Sequence, residues 1–177
     1  MVLRSMKSLK PGELICENYG PIFTIMDREE RQNQLASRYW FGCQCVPCNE
    51  DWPKFSDLRP DDINLVCERC QNRLRMDILE NITNPNVKCE KCQHYTNIMK
   101  SLKSLGETQE LFEKGSALSG KGEMEHALKV YLKLLKILEG ILAQPHKDYY
   151  LAHEAVRKCM MHAGNKFIVQ NKERQIQ

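Results

Sequence analysis

No stretch of this chain approaches the ~18 apolar residues that a helix needs to cross a bilayer, so no membrane span is expected. The opening Met1-Val2-Leu3-Arg4-Ser5-Met6-Lys7 lacks the long apolar core of a secretory signal. Charge of one sign is scarce as well. A formal net charge of +3 is too small to point to nucleic acid or to an acidic membrane. Disorder is equally poorly supported, because 42% hydrophobic and 28% charged residues is an ordinary folded balance. The 177 residues suffice for one ordinary domain or two or three small modules.

What the chain does have is cysteine. Nine cysteines fall largely in C-x-C and C-x-x-C groupings, and no secretion signal precedes them. That pattern reads as reduced thiolates on metal rather than disulfides, which places the protein in the cytosol or nucleus.

Segments of different character follow one another. Residues 1–42 hold a turn at Lys10-Pro11-Gly12-Glu13 and a short apolar run, Leu14-Ile15-Cys16, that reads as a strand. A second turn, Asn18-Tyr19-Gly20-Pro21, precedes a charged stretch from Asp27 that reads as helical as far as Tyr39. Residues 43–61 contain Cys43, Cys45 and Cys48 and a polar connector with Pro53 and Pro60. Residues 62–97 hold a second cysteine cluster, and 98–177 are helical in pattern. There Met124, Ala127, Leu128, Tyr131, Leu135, Leu138 and Leu142 recur at three- and four-residue steps and share one helix face. Gly120-Lys121-Gly122 separates this helix from one over Glu107 to Ser119, and Pro145 ends it before a third, from about Asp148 to His162. Short loops make such helices antiparallel neighbours. Helix pairs of this kind need stacked neighbours, so the polar tail, Asn171 to Gln177, reads as a truncated end.

The second cluster is the stronger signal. Cys67-Glu68-Arg69-Cys70 and Cys89-Glu90-Lys91-Cys92 are two knuckles with eighteen residues between them. Each presents two sulfurs to one tetrahedral ion, and four thiolates leave no open position, so the expected site is structural zinc rather than catalytic. Four ordinary buried cysteines are the blander alternative, and the repeated spacing argues against it. His94, two residues past Cys92, is expected to be a supporting or surface histidine rather than a ligand. Zinc ribbons also bind nucleic acid. Here, however, Arg69, Arg73, Arg75, Lys88 and Lys91 are offset by Glu68, Asp77, Glu80 and Glu90, with Tyr95 the only aromatic. A solvated face is expected.

The first cluster, Cys43, Cys45 and Cys48, offers only three sulfurs, and a closed zinc site wants a fourth ligand. Cys16 is the only upstream cysteine, and in its apolar run it is expected to be buried as a plain core residue.

Gly12-Glu13-Leu14 through Asn18-Tyr19-Gly20-Pro21, then a charged helix and Arg38-Tyr39-Trp40-Phe41-Gly42-Cys43-x-Cys45-x-x-Cys48, resembles the end of a SET domain and its post-SET motif. More narrowly, it resembles the SET and MYND domain-containing protein-lysine methyltransferases, including members with a further cysteine cluster and a tetratricopeptide-like helical region. The resemblance implies an α+β, mainly α architecture: a SET C-terminal remnant (1–42), a post-SET zinc cluster and linker (43–61), a zinc-ribbon-like insert (62–97) and tetratricopeptide-like helices (98–177). Leu111, Gly115, Leu118, Gly122, Ala127, Tyr131 and Leu134 fall at positions expected of one such repeat, with Gly115 and Ala127 letting two helices approach.

The resemblance also implies roles. Tyr19 matches a catalytic tyrosine where substrate lysine meets methyl donor, Tyr39 an aromatic of the lysine channel, and Phe41 a ring on the adenine of S-adenosylmethionine. Cys43, Cys45 and Cys48 match three of four post-SET zinc ligands. Without the family, these three aromatics would read as core residues. The Asn-His-Ser-Cys-type motif that supplies the fourth ligand is missing, as are the Gly-rich strand of the donor pocket and the MYND module. The chain is therefore expected to be the C-terminal part of such an enzyme and to be inactive alone. The implied cofactors are structural zinc and, in the complete protein, S-adenosylmethionine. The implied partners are a protein with a target lysine and a peptide or protein on the helical repeat, with neither membrane nor nucleic acid. The competing class is a non-enzymatic zinc-and-helix interaction module.

Overall fold

An aspartate sets where the first helix begins in this computed structural model, which describes residues 9–13, 15–59, 62–75 and 83–163. Leu14, Pro60, Asp77, Glu80 and the segments at 1–7 and 171–177 that figure in the sequence reading lie outside the described residues. Asp27 accepts from the backbone N–H of Glu30 at 2.9 Å, while the Glu30 carboxylate accepts from the Asp27 N–H at 3.1 Å. This reciprocal capping box starts helix α1, Arg28–Tyr39, and Trp40 ends it in a left-handed conformation. Only Arg31 and Leu35 of α1 are buried, one turn apart on a narrow stripe.

The chain divides into two compact units between Asp62 and Ile63. In the first, α1 is followed by the single turn α2, Val46–Asn49, and a 3-10 turn at Phe55–Asp57. The Phe55 N–H donates to the Thr24 carbonyl at 3.1 Å, and the Phe23 and Trp52 rings meet edge to face at 5.3 Å, so the segment closes on itself. The strand expected around Ile15 and Cys16 does not form. Both residues are exposed in irregular backbone, and Cys16 is not a core residue. A strand needs a neighbour for its amides and carbonyls, and the described residues of this unit contain no other strand.

In the second unit, β1 (Asn86–Lys88) and β2 (Tyr95–Asn97) form an antiparallel pair with Val87 opposite Thr96. Those two residues are buried and their neighbours exposed, the period-two pattern of a half-buried ribbon. Asn97 then accepts from the N–H groups of Met99 and Lys100 and starts α3, Ile98–Gly120. The helix therefore begins nine residues before the Glu107 start read from the sequence. Gly122, at a φ of 79°, turns the chain into α4, Met124–Ile141. Helix α5, Lys147–Ala163, follows.

Helix α4 packs between α3 and α5. Its buried residues are Ala127, Leu128, Tyr131, Leu134, Leu135 and Leu138, with Leu142 just beyond. The segment before β1 docks on the end of α4: the Val66 N–H donates to the Ile141 carbonyl at 3.0 Å, and the Ala143 N–H to the Asn64 carbonyl at 2.7 Å. The four-cysteine segment and the helices thus share one unit. The architecture is mainly helical α+β with a small two-stranded sheet. No helix among the described residues is long and apolar enough to cross a membrane.

Candidate metal centres and aromatic cleft

The two C-x-x-C segments fold into the same turn twice. In one, the Cys67 N–H donates to the Asn72 carbonyl and the Gln71 N–H to the Cys67 carbonyl, each at 2.9 Å. In the other, the Cys89 N–H donates to the His94 carbonyl at 2.8 Å and the Gln93 N–H to the Cys89 carbonyl at 2.9 Å. Gln71 and Gln93 both adopt positive φ, 59° and 60°, which curls each turn around its sulfurs.

The sulfurs of Cys67, Cys70, Cys89 and Cys92 all lie within 4.8 Å of one another. Cys67 Sγ is 3.5 Å from Cys92 Sγ, and Cys70 Sγ is 3.6 Å from Cys89 Sγ. Four sulfurs bound tetrahedrally at the usual zinc–sulfur distance stand about 3.8 Å apart, so this donor set fits a zinc ion. Burial raises the Cys67 thiol, yet the N–H groups of Cys70 and Arg69 and the Thr96 hydroxyl prevail and bring it down to about 6. For Cys92, the His94 N–H favours the thiolate. Burial and the sulfurs of Cys70, Cys67 and Cys89 outweigh it and push the thiol up to about 12. Four adjacent thiolates repel, and a divalent cation is what lets all four ionise together. His94 is not in this group. Its Nε2 lies 2.8 Å from Glu68 Oε1, tying one knuckle to the other. Arg75 pairs with Glu90 at 3.6 Å, so part of the basic character here is locally offset.

The structure also brings Cys43, Cys45 and Cys48 together, with their sulfurs within 4.8 Å. Cys43 precedes α2, Cys45 is its N-cap and Cys48 lies within it. Three soft donors at one point fit zinc with one position open. Burial raises the Cys43 thiol, but the N–H of Cys45, the thiols of Cys45 and Cys48 and the Arg31 charge bring it below its ordinary value. Burial and the Cys43 thiol push Cys45 up to about 11. Cys16 is not among the gathered sulfurs.

Two residues that the sequence reading passed over hold this loop. Gln32 Oε1 accepts from the Cys43 N–H at 2.9 Å while its Nε2 donates to the Cys43 carbonyl at 2.8 Å. Arg31 donates to the Met26 carbonyl at 2.7 Å, the Pro47 carbonyl at 3.1 Å and Cys48 Sγ at 3.6 Å. The available signal was a cation at the position one turn before Leu35, on the buried stripe of α1.

Beside this cluster lies an open cleft of about 910 Å³, lined by Tyr19, Phe41, Leu35, Cys43 and Cys16 among others. The Tyr19 ring meets Tyr39 edge to face at 4.9 Å and Phe41 at 5.7 Å. All three rings are part-exposed, Tyr19 by 53%, so they line a surface rather than a core. Among the described residues the cleft wall carries one cation, Arg31, already committed to two carbonyls and a sulfur. The described residues give this cleft an aromatic wall.

Comparison with known proteins gives two relatives over most of the chain. Protein-lysine N-methyltransferase SMYD4 of Mus musculus is 23% identical over 144 residues, 81% of this chain and 17% of that protein. The protein of the same name from Danio rerio is 23% identical over 148 residues, 82% of this chain and 19% of that protein. The chain is a distant relative of the SET and MYND methyltransferases. It spans less than a fifth of the length of these relatives. No family model matches the sequence. No solved structure matches it. The relationship nonetheless agrees with the resemblance carried by the Tyr19 turn and the Cys43-x-Cys45-x-x-Cys48 spacing.

Proposed function

We propose that this chain is the SET-end, post-SET and helical portion of a protein-lysine methyltransferase, with both cysteine clusters holding structural zinc. The observation that carries this reading is the convergence of Tyr19, Tyr39 and Phe41 beside the three-cysteine loop, in a chain related to SMYD4. S-adenosylmethionine would supply the methyl group. The Tyr19 hydroxyl has no protein partner among the described residues, which leaves it free to orient a lysine amine at the cleft. The Tyr39 ring offers a face to an alkylammonium, and Phe41 an apolar surface to a planar base. The helices at 98–163 are read as tetratricopeptide-like and as a scaffold for a protein partner, with the whole acting in the cytoplasm or nucleus.

The test is a segment exchange. Residues 9–177 replace the matching segment of mouse SMYD4, and transfer of labelled methyl groups to protein lysine is measured. The expected result is activity in the chimera and its loss in the Tyr19→Phe chimera. A folded, zinc-loaded chimera without activity, beside an active parent, would sink the proposal. It would favour the non-enzymatic interaction module. The cavity among α3, α4 and α5 adds little to that alternative. At about 150 Å³ it is smaller than the roughly 300–1,000 Å³ typical of ligand sites.

A further inference from the structure

Arg31 is 2% exposed, and among the described residues no carboxylate pairs with it. A guanidinium does not lose its proton in a protein, so this is a permanent charge removed from water. Such a charge is tolerated where an opposite charge lies beside it. Two of its contacts are backbone carbonyls, which are dipoles only. The third is Cys48 Sγ at 3.6 Å, itself 2% exposed, and the Arg31 Nε hydrogen has no partner. Among the described residues, the only group in contact with Arg31 that can carry negative charge is therefore a thiol of the three-cysteine loop.

We infer that Arg31 is the counter-charge of the Cys43–Cys45–Cys48 metal centre, a positioning residue that holds the loop and offsets its net anionic charge. The inference rests on the reading of that cluster as a zinc site. A divalent ion bound by three thiolates carries one net negative charge, which a single guanidinium cancels. Geometry assigns the two halves of the task to neighbouring residues of α1. Gln32 fixes the Cys43 backbone at one end of the loop, and Arg31 fixes Pro47 and Cys48 at the other. The guanidinium contact draws negative charge from the Cys48 sulfur and offsets the charge left on the loaded centre, so metal is retained longer.

Release of zinc from the full chain to a chromogenic chelator tests this. A fast phase that disappears in Cys43→Ser belongs to the three-cysteine centre, and the slow phase to the four-cysteine one. Arg31→Gln, which keeps hydrogen bonding and loses charge, is expected to speed the fast phase by about tenfold or more, the usual scale for partners of metal ligands. Arg31→Lys, which keeps the charge, should change it by less than about threefold on the same scale. The slow phase should not move in either variant. Equal acceleration in both variants, or none in either, overturns the inference while leaving the metal site standing. Absence of any Cys43-dependent phase overturns both. Because Arg31→Gln can misfold, the wild-type chain gives an independent readout. The guanidinium NMR signals of Arg31, shielded from solvent exchange by burial, should shift on adding zinc to the apoprotein, and unmoved signals would refute the assignment.

Discussion

Gly115 of α3 lies against the ring of Tyr131 in α4 so closely that a Cβ carbon at Gly115 would sit 2.6 Å from Tyr131 Cε1 and 2.7 Å from Cζ. The ring cannot swing away freely, because it is buried and meets Phe112 edge to face at 5.8 Å. Glycine here sets the separation of the two helices.

Gly115→Ala is therefore expected to destabilise the helical unit. Alanine favours the helix by up to about 1 kcal/mol, while overpacking costs about 1–3 kcal/mol. The net loss should be up to about 2 kcal/mol by these two scales, seen as a lower urea midpoint. Gly106→Ala, where nothing stands within 4 Å, should by contrast be neutral or stabilising. A gain in stability from Gly115→Ala would show that the helices separate easily.

The four-cysteine centre should hold one tightly bound zinc per chain. Metal analysis of purified protein, compared with Cys67→Ala plus Cys92→Ala, checks it. The double variant should lose that zinc and the order of the two knuckles at 63–75 and 83–97, since structural zinc supplies on the order of 10–16 kcal/mol to such segments. Equal tight zinc in the variant would mean that other groups hold the metal.

Three sulfurs leave the first centre open to water and chelators, so mild chelation should empty it well before the second. Equal resistance of both centres would mean that a further group, Cys16 among the candidates, completes the Cys43 cluster in solution.

Buried His146 gives the helical unit a pH dependence. Its Nδ1 accepts from the Asp148 N–H at 3.2 Å, and Nε2 is buried without a partner. Burial pushes its pKa below the ordinary histidine value, with the Asp148 charge opposing in part. The unfolded chain takes up a proton as pH falls through about 6.5, and the folded chain resists until lower pH. Stability from this group is thus present above about pH 6.5 and lost as pH falls toward the depressed folded value. Thermal midpoints between pH 7.5 and roughly 5 should decline less in His146→Asn, which keeps an acceptor but does not titrate. Identical slopes in both proteins would remove His146 as the cause.

Much of this was legible in residue order, for reasons that differ by element. The α4 face followed from three- and four-residue spacing, and every residue of that list from Ala127 onward is buried. The four sulfurs converge because each C-x-x-C segment forms its own local turn, which needs no distant partner. The helical pattern read from Ile98 onward agrees with the start of α3, while the Glu107 start read for that helix falls late because Asn97 sits at the end of a strand, where its capping role is hidden by the ribbon. The strand around Ile15 failed because strands depend on neighbours, which apolar runs alone do not supply. Arg31 escaped notice because its partners lie five, sixteen and seventeen residues away, beyond the reach of helical periodicity.

Finally, this chain alone is expected to transfer no methyl groups, although Tyr19, Tyr39 and Phe41 converge on one cleft. Methyl transfer requires the sulfonium and the lysine amine to be held in line at near-attack distance, and that alignment supplies much of the rate. Aromatic rings can form one side of such a channel. They cannot fix the donor's carboxylate, and Arg31, the one cation that the described residues place on the cleft wall, is spent on Pro47, Met26 and Cys48. A donor resting on Phe41 alone would keep most of its rotational freedom, and its binding would be too weak to orient the methyl group. Calorimetry with S-adenosylmethionine should therefore show no micromolar binding, and a lysine-rich protein mixture should stay unlabelled. Micromolar binding, or labelling abolished by Tyr19→Phe, would mean that the chain completes the donor site with groups beyond the described lining of this cleft.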